Sequence, residues 1–113
     1  MARVFLIVLD SFGVGALPDA GDFGDSGSCT IRSCWQTGLM RTPNMARLGL
    51  FNIAGVDVGE KCAAPEGAFL RLAERSKGKD TTTGHWEISG IVSQKPFPTF
   101  PNGFPQEVID AFS

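Results

Sequence analysis

One unbroken apolar run stands out along the chain: Val4-Phe5-Leu6-Ile7-Val8-Leu9, bounded by Arg3 and Asp10. Its length and β-branched content predict a strand covered on both faces, as in a parallel sheet with helices packed on either side. Asp10 would emerge at the carboxyl end of that strand, the edge where open α/β sheets bind ligands. Arg3 would mark the opposite, wet edge. Further on, Phe69 and Arg71 alternate with Leu70 and Leu72, which predicts a half-buried strand over 68–74.

Helical signals are shorter. Thr30 to Thr37 reads as a short helix ended by Gly38. Thr42 to Gly49 is better punctuated: Thr42 can cap, Pro43 suits the first turn and Gly49 terminates. Met45, Leu48 and Leu50 would face the core there. His85 to Ile91 is expected to start a helix behind the polar loop 76–84. Pro96, Pro98, Pro101 and Pro105 then interrupt the chain. Gln106 to Phe112 opens one more helix, with Val108, Ile109 and Phe112 on one side, and the chain is expected to stop in mid-domain.

Between these elements, 11–27 holds glycine at 13, 15, 21, 24 and 27 and has no period of either kind. Long structureless loops in compact domains are more often functional than accidental. The spacing of Gly13 and Gly15 matches neither a dinucleotide fingerprint nor a P-loop. With 113 residues, 14 glycines and 7 prolines, the chain allows one domain at most and a modest core.

Charge changes the picture by exclusion. Ten basic and 12 acidic side chains leave a formal net charge of −2, which supplies no field for gathering nucleic acid. The apolar run is too short to cross a membrane or to serve as a leader's core, so a cytoplasmic location is expected. Three cysteines, Cys29, Cys34 and Cys62, cannot all pair within one chain and make a poor zinc pattern, so buried or idle reduced thiols are expected.

The chemistry-bearing stretch is Lys79-Asp80-Thr81-Thr82-Thr83-Gly84-His85-Trp86-Glu87. A threonine hydroxyl becomes a usable nucleophile beside a divalent metal or a base. Lys77 and Lys79 could hold phosphate oxygens. Equally, the threonines could cap a helix on the surface, and the residues alone do not choose among the three. His85 could ligate metal, donate to a substrate oxygen or hold the loop. Glu87 could pair with a lysine, cap the helix or act as a base. Asp10 is a hard oxygen donor suited to Mg²⁺ or Mn²⁺, but one carboxylate makes no metal site.

These motifs together resemble the phosphopentomutases, within the alkaline-phosphatase-like group. The likeness rests on Val8 to Gly15, Pro18-Asp19-Ala20, Phe23-Gly24-Asp25, Pro43-Asn44-Met45, Leu48-Gly49-Leu50, Gly78 to Glu87 and Phe104-Pro105-Gln106-Glu107. The pattern departs at Cys29 and Ser33, where the family usually has an acidic residue and a histidine.

The resemblance implies an α/β fold. It would be a partial alkaline-phosphatase-like core over 1–95, with a strand, a long Gly-rich loop and short helices, and the start of an inserted cap over 96–113. It implies phosphoryl transfer interconverting (deoxy)ribose 1-phosphate and (deoxy)ribose 5-phosphate through a phosphothreonine at Thr81. Asp10 and Thr81 would be metal ligands, and Lys79 and His85 phosphate or substrate contacts. Two Mn²⁺ ions and a sugar bisphosphate activator are implied as cofactors, and pentose phosphates as partners. The alternative is a truncated, non-catalytic remnant or fragment lacking the later metal ligands. An incomplete sheet would then expose an edge through which copies could self-associate.

Overall fold

The computed structural model describes residues 2–112. Four short helices form: α1 (Thr30–Gln36), α2 (Pro43–Leu48), α3 (Thr81–Ile88) and α4 (Gln106–Phe112). Two single turns of tighter helix, Ala20–Phe23 and Leu50–Asn52, complete the regular structure. Among the described residues there is no strand. The expected α/β architecture is therefore corrected to helices and loops.

The correction is clearest at Val4–Leu9. This segment forms no strand, and Val4 is 94%, Ile7 81% and Leu9 50% exposed. A helix makes its hydrogen bonds within its own segment, whereas a strand makes them with another one. Val4–Leu9 has the composition of a central strand, but no described segment pairs with it. The same holds for 68–74, where Leu72 is 85% exposed. With no sheet among the described residues there is no sheet edge, so the expected route to self-association falls away.

The chain divides into two compact units, 1–73 and 74–113. The first has an apolar core of Ile31, Leu50, Phe51 and Val56, all buried, with Phe12, Val14, Met40, Met45 and Ile53 packed against it. Trp35 meets Phe51 edge-on, ring centroids 5.5 Å apart, a favoured aromatic geometry. Leu48, expected to face this core, is instead half-exposed. Polar groups tie the irregular part down. The Asn52 side chain accepts from the Cys62 backbone N–H and donates to its carbonyl, both at 2.9 Å. Arg32 and Asp57 make a two-pronged ion pair at 3.2 and 2.8 Å. The three thiols are free and partly buried.

α2 begins at Pro43, behind Thr42, and stops at Gly49 with φ of 107°. That glycine does two jobs. A side chain there would be strained by the left-handed backbone, and its Cβ would lie 2.5 Å from the Phe69 ring.

The second unit is built differently. Its buried residues are Ser76, Gly78 and Thr83. Trp86 lies against Phe97 and Phe100 against Phe104, with centroids 5.6 and 4.9 Å apart. Yet all four aromatic side chains remain more than a third exposed. α4 is exposed along its length, and Gln106 donates to Asp110 across one turn at 2.7 Å.

Candidate functional site

α3 carries the threonine stretch, and Asp80 explains where it begins. Asp80 has an extended backbone and caps the helix: one carboxylate oxygen accepts the Thr83 N–H at 2.8 Å. The other accepts the Thr83 hydroxyl at 2.7 Å. Capping of this kind satisfies one of the orphan donors of a helix start. The Thr83 hydroxyl and then its N–H hold the Asp80 carboxyl below its ordinary value, against the opposing effect of burial. Gly78 lets the chain cross over this cap. A Cβ there would come within 2.7 Å of Asp80 Oδ2 and 2.8 Å of Thr83 Oγ1.

The cap separates the three threonines. Thr83 is fully buried and its hydroxyl is spent on Asp80. Thr81 and Thr82, in the first turn, are exposed. A nucleophile must be approached by its substrate, so only these two qualify. The helix was expected to start at His85 and instead starts at Thr81. An Asp three residues ahead of the Thr it caps is the local signal for that start.

His85 sits one turn along from Thr81, with Nδ1 2.8 Å from the Thr81 carbonyl oxygen. A carbonyl only accepts, so Nδ1 carries a proton and donates it to Thr81. Lys79 is exposed just ahead of the cap. Thr81, His85 and Lys79 therefore belong to one local segment. Asp10 lies in the other unit, exposed, at the start of a turn in which Ser11 takes φ of 58° and the Phe12 N–H reaches the Leu9 carbonyl. Thr30 holds this turn: its hydroxyl donates to the Ser11 carbonyl and accepts from the Gly13 N–H, each at 3.2 Å.

The donor set does not fit a resident Mn²⁺. Among the described residues no three His, Cys, Asp or Glu side chains gather where they could hold an ion. Asp10 and Thr81 offer one oxygen-bearing side chain each.

Glu87 draws its donors from Arg75 and Ser76, where the polar loop begins. One carboxylate oxygen accepts the Arg75 N–H at 2.8 Å; the other accepts the Ser76 N–H at 2.8 Å and the Ser76 hydroxyl at 2.5 Å. The Ser76 hydroxyl, foremost, and the Arg75 N–H hold its carboxyl below the ordinary value. In the first unit, an apolar hollow of about 390 Å³ is lined by Leu9, Phe12, Met40, Met45 and Leu50 among others. Cys34, Thr37, Arg41 and Thr42 also line it.

No family model matches the chain. Curated relatives do. The chain is 52% identical over 113 residues to a protein named phosphopentomutase from Lachnoclostridium phytofermentans, covering 99% of this chain and 29% of the relative. It is 51% identical to those of Clostridium acetobutylicum and Thermotoga petrophila, each over 111 residues, 97% of this chain and 28% of theirs. The likeness to phosphopentomutases thus runs through nearly the whole chain, which spans less than a third of the length of the relatives it matches. The expectation that this chain itself performs the mutase reaction is corrected. The sheet that would carry the site and the cluster of metal donors are both absent among the described residues.

Proposed function

We propose that the chain is a non-catalytic portion of a phosphopentomutase-type polypeptide, one that bears the threonine segment and does not turn over alone. Coverage carries this reading: identity of about half holds over 97–99% of the chain but only 28–29% of each relative. The uncovered Val4–Leu9 run supports it, because such a segment is stable as a strand only between neighbours. On this reading Thr81 is the hydroxyl that would carry phosphate in the longer polypeptide. Asp10 and Thr81 would face metal, and Lys79 and His85 the phosphate or sugar. Manganese, the activating bisphosphate and the cap that 96–113 would open belong to that longer polypeptide, in the cytoplasm. Most of the metal's donors would come from residues other than these.

The test is direct. The pure 113-residue chain, given Mn²⁺, a sugar bisphosphate and ribose 1-phosphate, is expected to form no ribose 5-phosphate above background. Steady formation would overturn the reading. Supplying the remaining length of a relative as a second polypeptide is expected to restore Mn²⁺-dependent interconversion. Thr81→Ala should then remove the phosphothreonine seen by mass spectrometry. Phosphate found on Thr82 instead would reject the choice of hydroxyl.

A further inference from the structure

α3 has eight residues, too few to hold a helix in water unaided. Short helices in proteins usually persist because an apolar face is buried. α3 has no such face: Trp86 is 42% and Ile88 57% exposed, and its one buried side chain is Thr83. Something polar must hold it, and Glu87 is placed to do so from its last turn. Its carboxylate takes both backbone N–H groups of 75 and 76, upstream of the helix. The Ser76 hydroxyl it accepts in turn accepts the Ser93 N–H at 3.0 Å, downstream of the helix. The Lys77 N–H closes the ring on the Ser93 carbonyl at 3.0 Å.

We infer that Glu87 is a positioning residue that locks 75–77 and 93 together around α3, so that the Lys79-Asp80-Thr81 turn is prebuilt within this chain. The carboxylate offers two oxygens to three donors, and charge-assisted bonds of this sort are the strong ones. Ser76 relays the grip, donating its one proton to Glu87 and leaving a lone pair for Ser93. The order of the turn therefore needs neither a sheet nor a bound metal. It stands whether or not Thr81 ever takes a phosphoryl group.

Amide hydrogen exchange on the 113-residue chain tests it. In Glu87→Gln, one acceptor oxygen becomes an amide nitrogen facing N–H donors. Exchange at Arg75 and Ser76 should accelerate about tenfold to hundredfold, with Ser93 and Thr83 following. Ile31, in the other unit, should not change. Ser76→Ala should expose the Ser93 amide while Arg75 stays protected, and Ser76→Thr should restore Ser93. This graded pattern is not what a general loss of structure gives. The inference is overturned if Glu87→Gln leaves Arg75 and Ser76 within twofold of the parent. It is also overturned if Ser76→Ala frees Arg75 and Ser93 alike. Should Glu87→Gln unfold the whole chain, with Ile31 exchanging too, the two Ser76 variants decide.

Discussion

The two units of this chain hold themselves by different physics. Residues 1–73 close around Ile31, Leu50, Phe51 and Val56. Residues 74–113 bury no large apolar side chain among those described, and rely on Asp80 and Glu87 accepting from Thr83, Arg75 and Ser76. An apolar core is non-directional and insensitive to protonation. A carboxylate clamp is directional, local and open to acid. The segment with the candidate chemistry is the one whose geometry is set by hydrogen bonds, which places hydroxyls more sharply than packing of loose apolar groups does.

The comparison breaks most readily at Phe51. Phe51→Ala should cost the first unit about 3–5 kcal/mol, the usual loss for emptying a buried phenylalanine site. For a core this small that amounts to unfolding. Urea titration followed at Trp35, which rests on Phe51, should show it. Amides of Arg75 and Ser76 should keep their protection, and their parallel loss would show that the two units share one folding transition.

Acid should separate the units in the other direction. The folded Glu87 carboxyl titrates below its ordinary value of 4.5. A depressed folded value means that its contribution is present above the ordinary value. It is lost as pH falls through the folded one. Asp57 is depressed in the same sense by Arg32, but on the surface of a unit that also has a core. Each unit has one tryptophan, Trp35 or Trp86. In single-tryptophan variants made by Trp→Phe exchange, the Trp86 signal should change below about pH 4.5 while the Trp35 signal persists. Simultaneous change would contradict the contrast.

Thr83→Val keeps the shape and removes one hydrogen bond to Asp80. The expected cost is about 1 kcal/mol, confined to α3. It should appear as faster exchange at the helix start. An effect many times larger would mean that the cap supports more than its own helix. The smallest effect is expected at Ile7→Lys. Ile7 is 81% exposed, so the urea midpoint should move by no more than about 0.5 kcal/mol of stability. A loss of several kcal/mol would show that Val4–Leu9 is covered after all.

How much was legible follows from the range of each interaction. α1, α2 and α4 could be read from Thr30, the Thr42-Pro43 pair, Gly49 and the run after Pro105, because helix ends are set by neighbours in sequence. The start of α3 is equally local, set by Asp80 three residues ahead of Thr83, although the run 76–84 has the composition of a polar loop. The likeness to phosphopentomutases was also present in the order of residues, in Asp10 with its glycines and in Lys79 to Glu87.

What composition could not decide was whether Val4–Leu9 is a strand. Six apolar residues say only that the segment would be stable between neighbours, and hydrogen-bonding neighbours are a property of the tertiary structure. Nor could the residues say which threonine is spent, since the choice depends on which hydroxyl turns inward to Asp80. Glu87 is visible in the sequence as a carboxylate, but its partners at 75 and 76 come near only once α3 has turned the chain back upon them. The sequence determined the local punctuation and the ancestry of the motif. The tertiary structure alone decided what covers an apolar run and where a carboxylate finds its donors, because both depend on contacts between residues distant along the chain.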